Sequence, residues 1–260
     1  MKYLGLRIVV AVAVTTLLVS VAWRGRTEAA ILTDAKRSVV VELFTSEGCS
    51  SCPPADDLLG RLRQAPNGNG AEVIPLGFHV DYWDFQGWRD RFDSPAFTRR
   101  QQDYASRFHI EGPYTPQMVV NGSVEFVGSS ASRASEAIRE AGVQSDTATV
   151  ELSPANGKLA VKISGASQGE VMLAITEDNL STKVGAGENG GHTLHHMAVV
   201  RDLRRIGEIS NGNFSATVPL EVLKEWKRDD VRVAVFVQDR GKGKIEGAAS
   251  RPLNALVSLK

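Results

Sequence analysis

Cysteine is almost absent from this chain of 260 residues: Cys49 and Cys52 are the only two. That scarcity excludes a framework of several disulfides, and one pair supplies only two of the four ligands a structural zinc usually takes. Net charge is missing as well, with 30 basic against 30 acidic side chains, so the chain carries no electrostatic footprint for nucleic acid. Arg99-Arg100 and Arg204-Arg205 are short pairs that read as solvated faces. A long hydrophobic run is also lacking. The apolar stretch from Ile8 to Val19 is broken by Thr15 and Thr16 and is short for a membrane span. No internal repeat or low-complexity tract is evident. What is present is the composition of a globular protein, 42% hydrophobic and 23% charged. The length accommodates one large or two ordinary domains.

The N-terminus reads as an export signal over residues 1–22. Lys2 and Arg7 form a basic start, the apolar stretch follows, and Ser20-Val21-Ala22 puts small residues where a signal peptidase cuts. Membrane attachment through an uncleaved N-terminal anchor is the alternative. No cysteine lies near the cut, which excludes a bacterial lipoprotein. Residues 23–37 read as a polar tether. Export implies a periplasmic or secreted protein, and an oxidising compartment in which a disulfide persists.

From Ser38 the punctuation gives strand 38–44, a turn holding the cysteines, helix 54–64, a loop rich in Asn and Gly, and strand 72–81. An insertion rich in tryptophan and arginine follows. Its second half, 94–109, reads as a helix that Ser94-Pro95 begins and whose Phe97, Gln101, Tyr104 and Phe108 share a face. Strands 117–120 and 123–127 flank Asn121-Gly122, a strong hairpin signal. A helix over 132–143 closes this unit. Beyond Asp146-Thr147 the texture changes to about seven short β-rich runs, separated by Gly, Asn, Pro and Ser, as in a β-sandwich. Only Leu220–Trp226 reads as helical there. The expected organisation is an α/β domain over 38–145 and an all-β sandwich-like domain over 147–260.

The cysteines occupy Gly48-Cys49-Ser50-Ser51-Cys52-Pro53-Pro54, where a strand ends and a helix begins. Unsatisfied N–H groups and a positive partial charge at the helix start favour a thiolate, the reactive form of cysteine. A purely structural link between such close neighbours gains little, because its short loop removes little unfolded-state entropy. The redox reading makes Cys49 the exposed nucleophile and Cys52 the resolving thiol. Thr115-Pro116 opens the strand expected beside the one leading to Cys49. A cis bond there would present the Thr115 backbone to an extended substrate peptide.

These motifs resemble the thioredoxin-like superfamily. More closely, the run from Val41 to Asp56 resembles the opening signature of the domain-of-unknown-function family numbered 1223. Phe78–Asp84, Tyr114–Gly122 and Gly187–Leu194 with Val199-Val200-Arg201 resemble its later signatures. The resemblance covers about residues 38–250. It implies an exported, α/β thioredoxin-like domain followed by an all-β sandwich-like domain, and it implies no particular substrate. Gly48 replaces the aromatic that usually precedes the first cysteine, and Glu47, Asp56 and Asp57 crowd acids near the site, which opposes the helix field.

Glu42 is a lone charge in a strand expected to be buried on both faces. It reads either as a proton relay to Cys52 or as a structural acid pairing an arginine. His79, Asp81, Tyr82 and Trp83 lie at the carboxyl end of the second strand, where open α/β sheets place their sites. They read as a substrate-facing wall, with Gln117 beside Pro116, or as a packed core. His192, His195 and His196 form no recognisable metal-ligand spacing. The glycine-rich loop 187–194 is expected to pack near the aromatic insertion and narrow access to Cys49. Together these readings predict an exported thiol–disulfide oxidoreductase acting on a thiol or disulfide protein partner, or on small thiols. No bound cofactor is needed. A soft-metal (copper) handling protein using the same cysteines, and a non-enzymatic binding module, are the rival readings.

Overall fold

The computed structural model describes residues 37–63, 70–144, 147–166 and 168–257. The expected signal peptide and, Arg37 apart, the tether lie outside the described residues. Among those described, no helix is long and apolar enough to cross a membrane.

The central strand β1, Ser38–Thr45, is buried along its whole length. Its near-continuous Val, Leu and Phe run suits a strand covered on both faces. It pairs in parallel with β2, Glu72–His79, and antiparallel with β3, Gln117–Val120. β4, Val124–Val127, completes a hairpin with β3. Asn121 and Gly122 both take positive φ (46° and 61°), as the tightest right-twisting hairpin turn demands. Three helices pack on this part. α1, Pro53–Leu62, starts with two prolines where no N–H acceptor exists and buries Ala55, Leu58, Leu59 and Leu62. α2, Pro95–Phe108, is N-capped by Ser94, whose hydroxyl accepts the Ala96 N–H at 3.2 Å. α3 spans Ala131–Val143.

The rest is almost all strand: β5 Thr149–Ala155, β6 Lys158–Ser164, β7 Gly169–Glu177, β8 Leu180–Lys183, β9 Thr193–His196, β10 Val199–Ile209, β11 Asn213–Val218, β12 Val231–Gln238 and β13 Ile245–Pro252. A one-turn helix, α4, follows at Leu253–Leu256. Residues Leu220–Trp226, expected as a helix, form no helix; Lys224-Glu225 is a turn.

The expected fold class, an α/β thioredoxin-like domain followed by an all-β sandwich-like domain, is overturned by the sheet. One mixed eight-stranded sheet runs β13-β12-β7-β10-β2-β1-β3-β4, drawing strands from both halves of the chain, and strand predominates over helix. The junction is β10 against β2, parallel at Val199↔Gly77. Gly77 makes it: its N–H donates to the Ala198 carbonyl at 2.7 Å, and a Cβ there would stand 3.4 Å from that same oxygen. Smaller sheets are β11-β6-β5 and β8-β9.

Three apolar clusters follow from this arrangement. On one face of β1, Val39, Val41 and Leu43 meet α1 and α3. On the other face, Val40 and Phe44 join Phe78, Phe97 and Tyr104 with Ala174, Ala234 and Phe236 from the later strands. The third cluster lies between β5-β6 and β7-β12, around Leu159, Val161, Leu173 and Val235.

Candidate functional site

β1 ends at Thr45, and residues 46–51 turn tightly into α1. The Cys49 N–H donates to the Ser46 carbonyl and the Cys52 N–H to the Cys49 carbonyl, both at 3.2 Å. Cys52 is the N-cap residue of α1. The turn brings the two Cα atoms to 5.4 Å, and the cysteines form a disulfide. Ser50 and Ser51 are exposed, but Cys49 and Cys52 are both 0% exposed. The sequence suggested an exposed Cys49. It is covered because Trp83 and a later loop close over it.

Gly48 lets Trp83 approach: a Cβ at Gly48 would lie 3.0 Å from the Trp83 Cβ. This close packing explains the missing aromatic before Cys49. The Trp83 indole donates to the Thr115 hydroxyl at 2.8 Å and stacks on Phe85, which is 79% exposed. Thr115–Pro116 is cis. Pro116 and Ala55 of α1 both crowd Gly128, at 3.2 and 3.4 Å from where its Cβ would be. Thus Trp83, Thr115 and Pro116 stand around the cysteine turn and the first turn of α1.

Other expected residues go elsewhere. Glu42 projects to the opposite face of β1, where Arg100 binds both its oxygens (2.6 and 3.0 Å) and the Tyr104 hydroxyl donates to it at 2.6 Å. Of its two sequence readings, pairing an arginine is the arrangement present. Asp81 accepts from the Thr98 hydroxyl at 2.5 Å, and Tyr82 donates to Gln101 at 3.1 Å, so both are tied to α2. Gln117 is fully buried between Gln101 and Glu125.

Behind the disulfide lies a buried cluster of acids and histidines. His79 Nδ1 is 2.6 Å from Asp90 Oδ2, and Asp90 also accepts N–H bonds from Glu47 and Phe92, both at 2.9 Å. Glu47 accepts from the Trp88 indole at 2.8 Å and has its other oxygen 3.3 Å from His196 Nε2. The two imidazole rings are 4.9 Å apart, edge to face. Asp56 completes the cluster from the first turns of α1. Burial pushes its carboxyl up to about 6, even though His196 and His79 pull the other way. Burial works to lower His79, but the neighbouring Asp90, with Asp56 and Glu47, holds it above the ordinary histidine value. For Asp90, burial is outweighed by His79 and by the two backbone donors, and its carboxyl stays below the usual range.

The tip of the β8–β9 hairpin covers the front, near the aromatic insertion. Asn189 is buried and its amide donates to the Glu47 carbonyl (2.9 Å) and the Cys49 carbonyl (3.0 Å). Glu188 accepts the Ser50 N–H at 3.0 Å and a Gln86 amide N–H at 3.4 Å. Gly185 packs on the Trp88 ring. Among the described residues no group of three or more His, Cys, Asp or Glu is arranged to hold a metal ion.

Sequence reasoning set His196 apart from His192 and His195 in no way. The signal was its alternation with Leu194 along β9, which turns both inward. Asp90 carried no local signal, since its role depends on the fold of the insertion.

The comparisons with known proteins agree on the fold and give little chemistry. A family model described as "Protein of unknown function (DUF1223)" matches residues 40–238. A crystal structure of a protein from Agrobacterium tumefaciens is similar, with 29% identity and a TM-score of 0.68, over 85% of this chain and 96% of that one. HBP35 of Porphyromonas gingivalis shares the fold, with 15% identity and a TM-score of 0.56, over 86% of this chain and 78% of that one. The search of curated proteins gave no match.

Proposed function

The chain belongs to this family of unknown function, and from that premise we propose that the protein is an exported thiol–disulfide oxidoreductase using Cys49 and Cys52. The observation that carries the reading is the place of the disulfide. It bridges the turn that follows β1 and the N-cap of α1, with a buried acid four residues beyond Cys52. Residues four apart share a helix face, so Asp56 and Cys52 are neighbours on α1. Export rests on the leader read in the sequence.

In the reading, a substrate thiolate attacks Cys49 sulfur. The new bond joins substrate and Cys49, the Cys49–Cys52 bond breaks, and its electron pair stays on Cys52 as a thiolate. Asp56, pushed up to about 6, gives that thiolate a proton. A second substrate thiolate then attacks the substrate sulfur of the mixed disulfide; the bond to Cys49 breaks, Cys49 leaves as a thiolate and the substrate departs as a disulfide, so two electrons reach the protein. In reverse, Asp56 as carboxylate takes the Cys52 proton and Cys52 resolves the mixed disulfide. Trp83, Thr115 and Pro116 wall the approach, and extended peptides fit the reading as substrates.

Equilibration of the protein with glutathione buffers tests it. A redox-active pair exchanges fully and titrates at about −120 to −270 mV. No exchange, or a potential below roughly −300 mV, as structural disulfides have, would overturn the proposal.

A further inference from the structure

The disulfide is closed off: both cysteines are 0% exposed, although exchange requires a sulfur open to a thiolate along the bond axis. What closes it, together with Trp83, is a hairpin tip tied to the cysteine turn by hydrogen bonds. Asn189 contributes two hydrogen bonds, to the Glu47 and Cys49 carbonyls, and Glu188 three more: its carboxylate accepts from the Ser50 N–H and the Gln86 amide, and its N–H donates to Gln86 Oε1. Gly185 and Gly187 lie against Trp88, where an added Cβ would come within 3.1 and 3.7 Å of it. The tip is bounded by a short ladder, with Val184 and His192 paired at 2.9 Å, and it turns on Gly187 and Gly191 at φ 76° and 86°. A Cβ at Gly191 would meet nothing within 4 Å. Such a segment can lift without unfolding the sheet behind it.

We propose that residues 185–191 are a hinged cover over the redox bond, latched by Asn189, and that Glu188 makes its mouth select against anionic thiols. The inference rests on the oxidoreductase reading for its purpose, though not for its chemistry. Glu188 is exposed, and its bonds from Ser50 hold its carboxyl below the usual range, so it stays ionised. It stands over Ser50, the residue after Cys49, and it already occupies that exposed N–H. An incoming carboxylate therefore meets like charge and finds the donor taken. An exposed cation on the insertion, Arg89, stands between Asp84 (3.9 Å) and Asp93 (3.7 Å), which offset it. Phe85, stacked on Trp83, gives the same rim an apolar shelf. The substrate class favoured is a neutral or cationic thiol, alone or on an extended peptide.

The test measures reduction of the Cys49–Cys52 bond in the whole chain by cysteamine, a cation, and by mercaptopropionate, an anion, with rates expressed per thiolate. The wild type favours cysteamine several-fold. Asn189→Ala raises both rates by about tenfold, the worth of one or two hydrogen bonds, and leaves their ratio unchanged. Glu188→Gln keeps an oxygen for the Ser50 N–H and removes the charge, so it collapses the ratio toward one. Unchanged rates in Asn189→Ala overturn the cover; an unchanged ratio in Glu188→Gln overturns the selection. If both variants behave as expected while the reduced protein passes no electrons to a disulfide, the cover stands and the oxidoreductase reading falls. Fast exchange insensitive to either variant removes the cover and leaves the oxidoreductase reading in place.

Discussion

At the scale of one side chain, Asp56 ties the site to the stability of the fold. Its carboxyl lies at about 6 in the folded chain against an ordinary 3.8. The folded state therefore binds the more protons between those values, and this group's contribution to stability falls as pH rises through them. Once ionised it costs the fold roughly 2–3 kcal/mol. Asp56→Asn is expected to be more stable than wild type at neutral pH by up to that amount, with the advantage vanishing near pH 4. Urea unfolding at several pH values measures it; a difference independent of pH would show that the carboxyl titrates alike in the folded and unfolded chain, unshifted by burial. The same variant is expected to slow resolution of a mixed disulfide by Cys52. At this scale the sequence was partly legible. The cysteines, Thr115-Pro116 and the acids at 47 and 56 stand in or beside local motifs. Glu42 shows the limit: strand alternation decides which face it takes, and only the placement of Arg100 on α2 decides what meets it there.

Elements with their own punctuation were the readable ones. The two prolines opening α1, the Ser94-Pro95 start of α2 and the Asn121-Gly122 turn each act through one or two residues, so no distant partner is needed. Ser94→Ala removes the cap of α2 and is expected to cost about 1 kcal/mol in urea unfolding, without changing exchange kinetics. A loss several times larger would mean that Ser94 supports more than the helix end. Leu220–Trp226 carries helical spacing over too few residues to nucleate a helix alone, and Trp226 is instead packed in the core around β7 and β12. The β8–β9 hairpin is legible only as a loop, because four-residue strands leave almost no periodic signal.

At the scale of the molecule, strand neighbours were the illegible part. Period shows that 171–177 and 231–238 are strands; nothing local says that β10 docks beside β2 rather than within a separate sandwich. The shared sheet has a direct consequence for truncation. A chain ending at residue 144 loses β10 from the edge of β2, and with it Ala174, Val200, Ala234 and Phe236 from the core around Phe44 and Phe78. It is expected to lack a cooperative unfolding transition by circular dichroism; a sharp transition would show that β1–β4 and α1–α3 fold alone. The covered bond has one more implication, in the dimension of time. Synthesis runs from the N-terminus, so Cys49 and Cys52 emerge well before Glu188 and Asn189 exist. If residues 185–191 cover the bond as proposed, the pair is open to an oxidant until the hairpin folds, whereas a thiol that meets the folded protein must first raise the cover. On that proposal the bond forms more readily before folding than it breaks afterwards, and the interval between the two conditions is the time needed to make all the chain from Cys52 to Asn189 and to fold the hairpin.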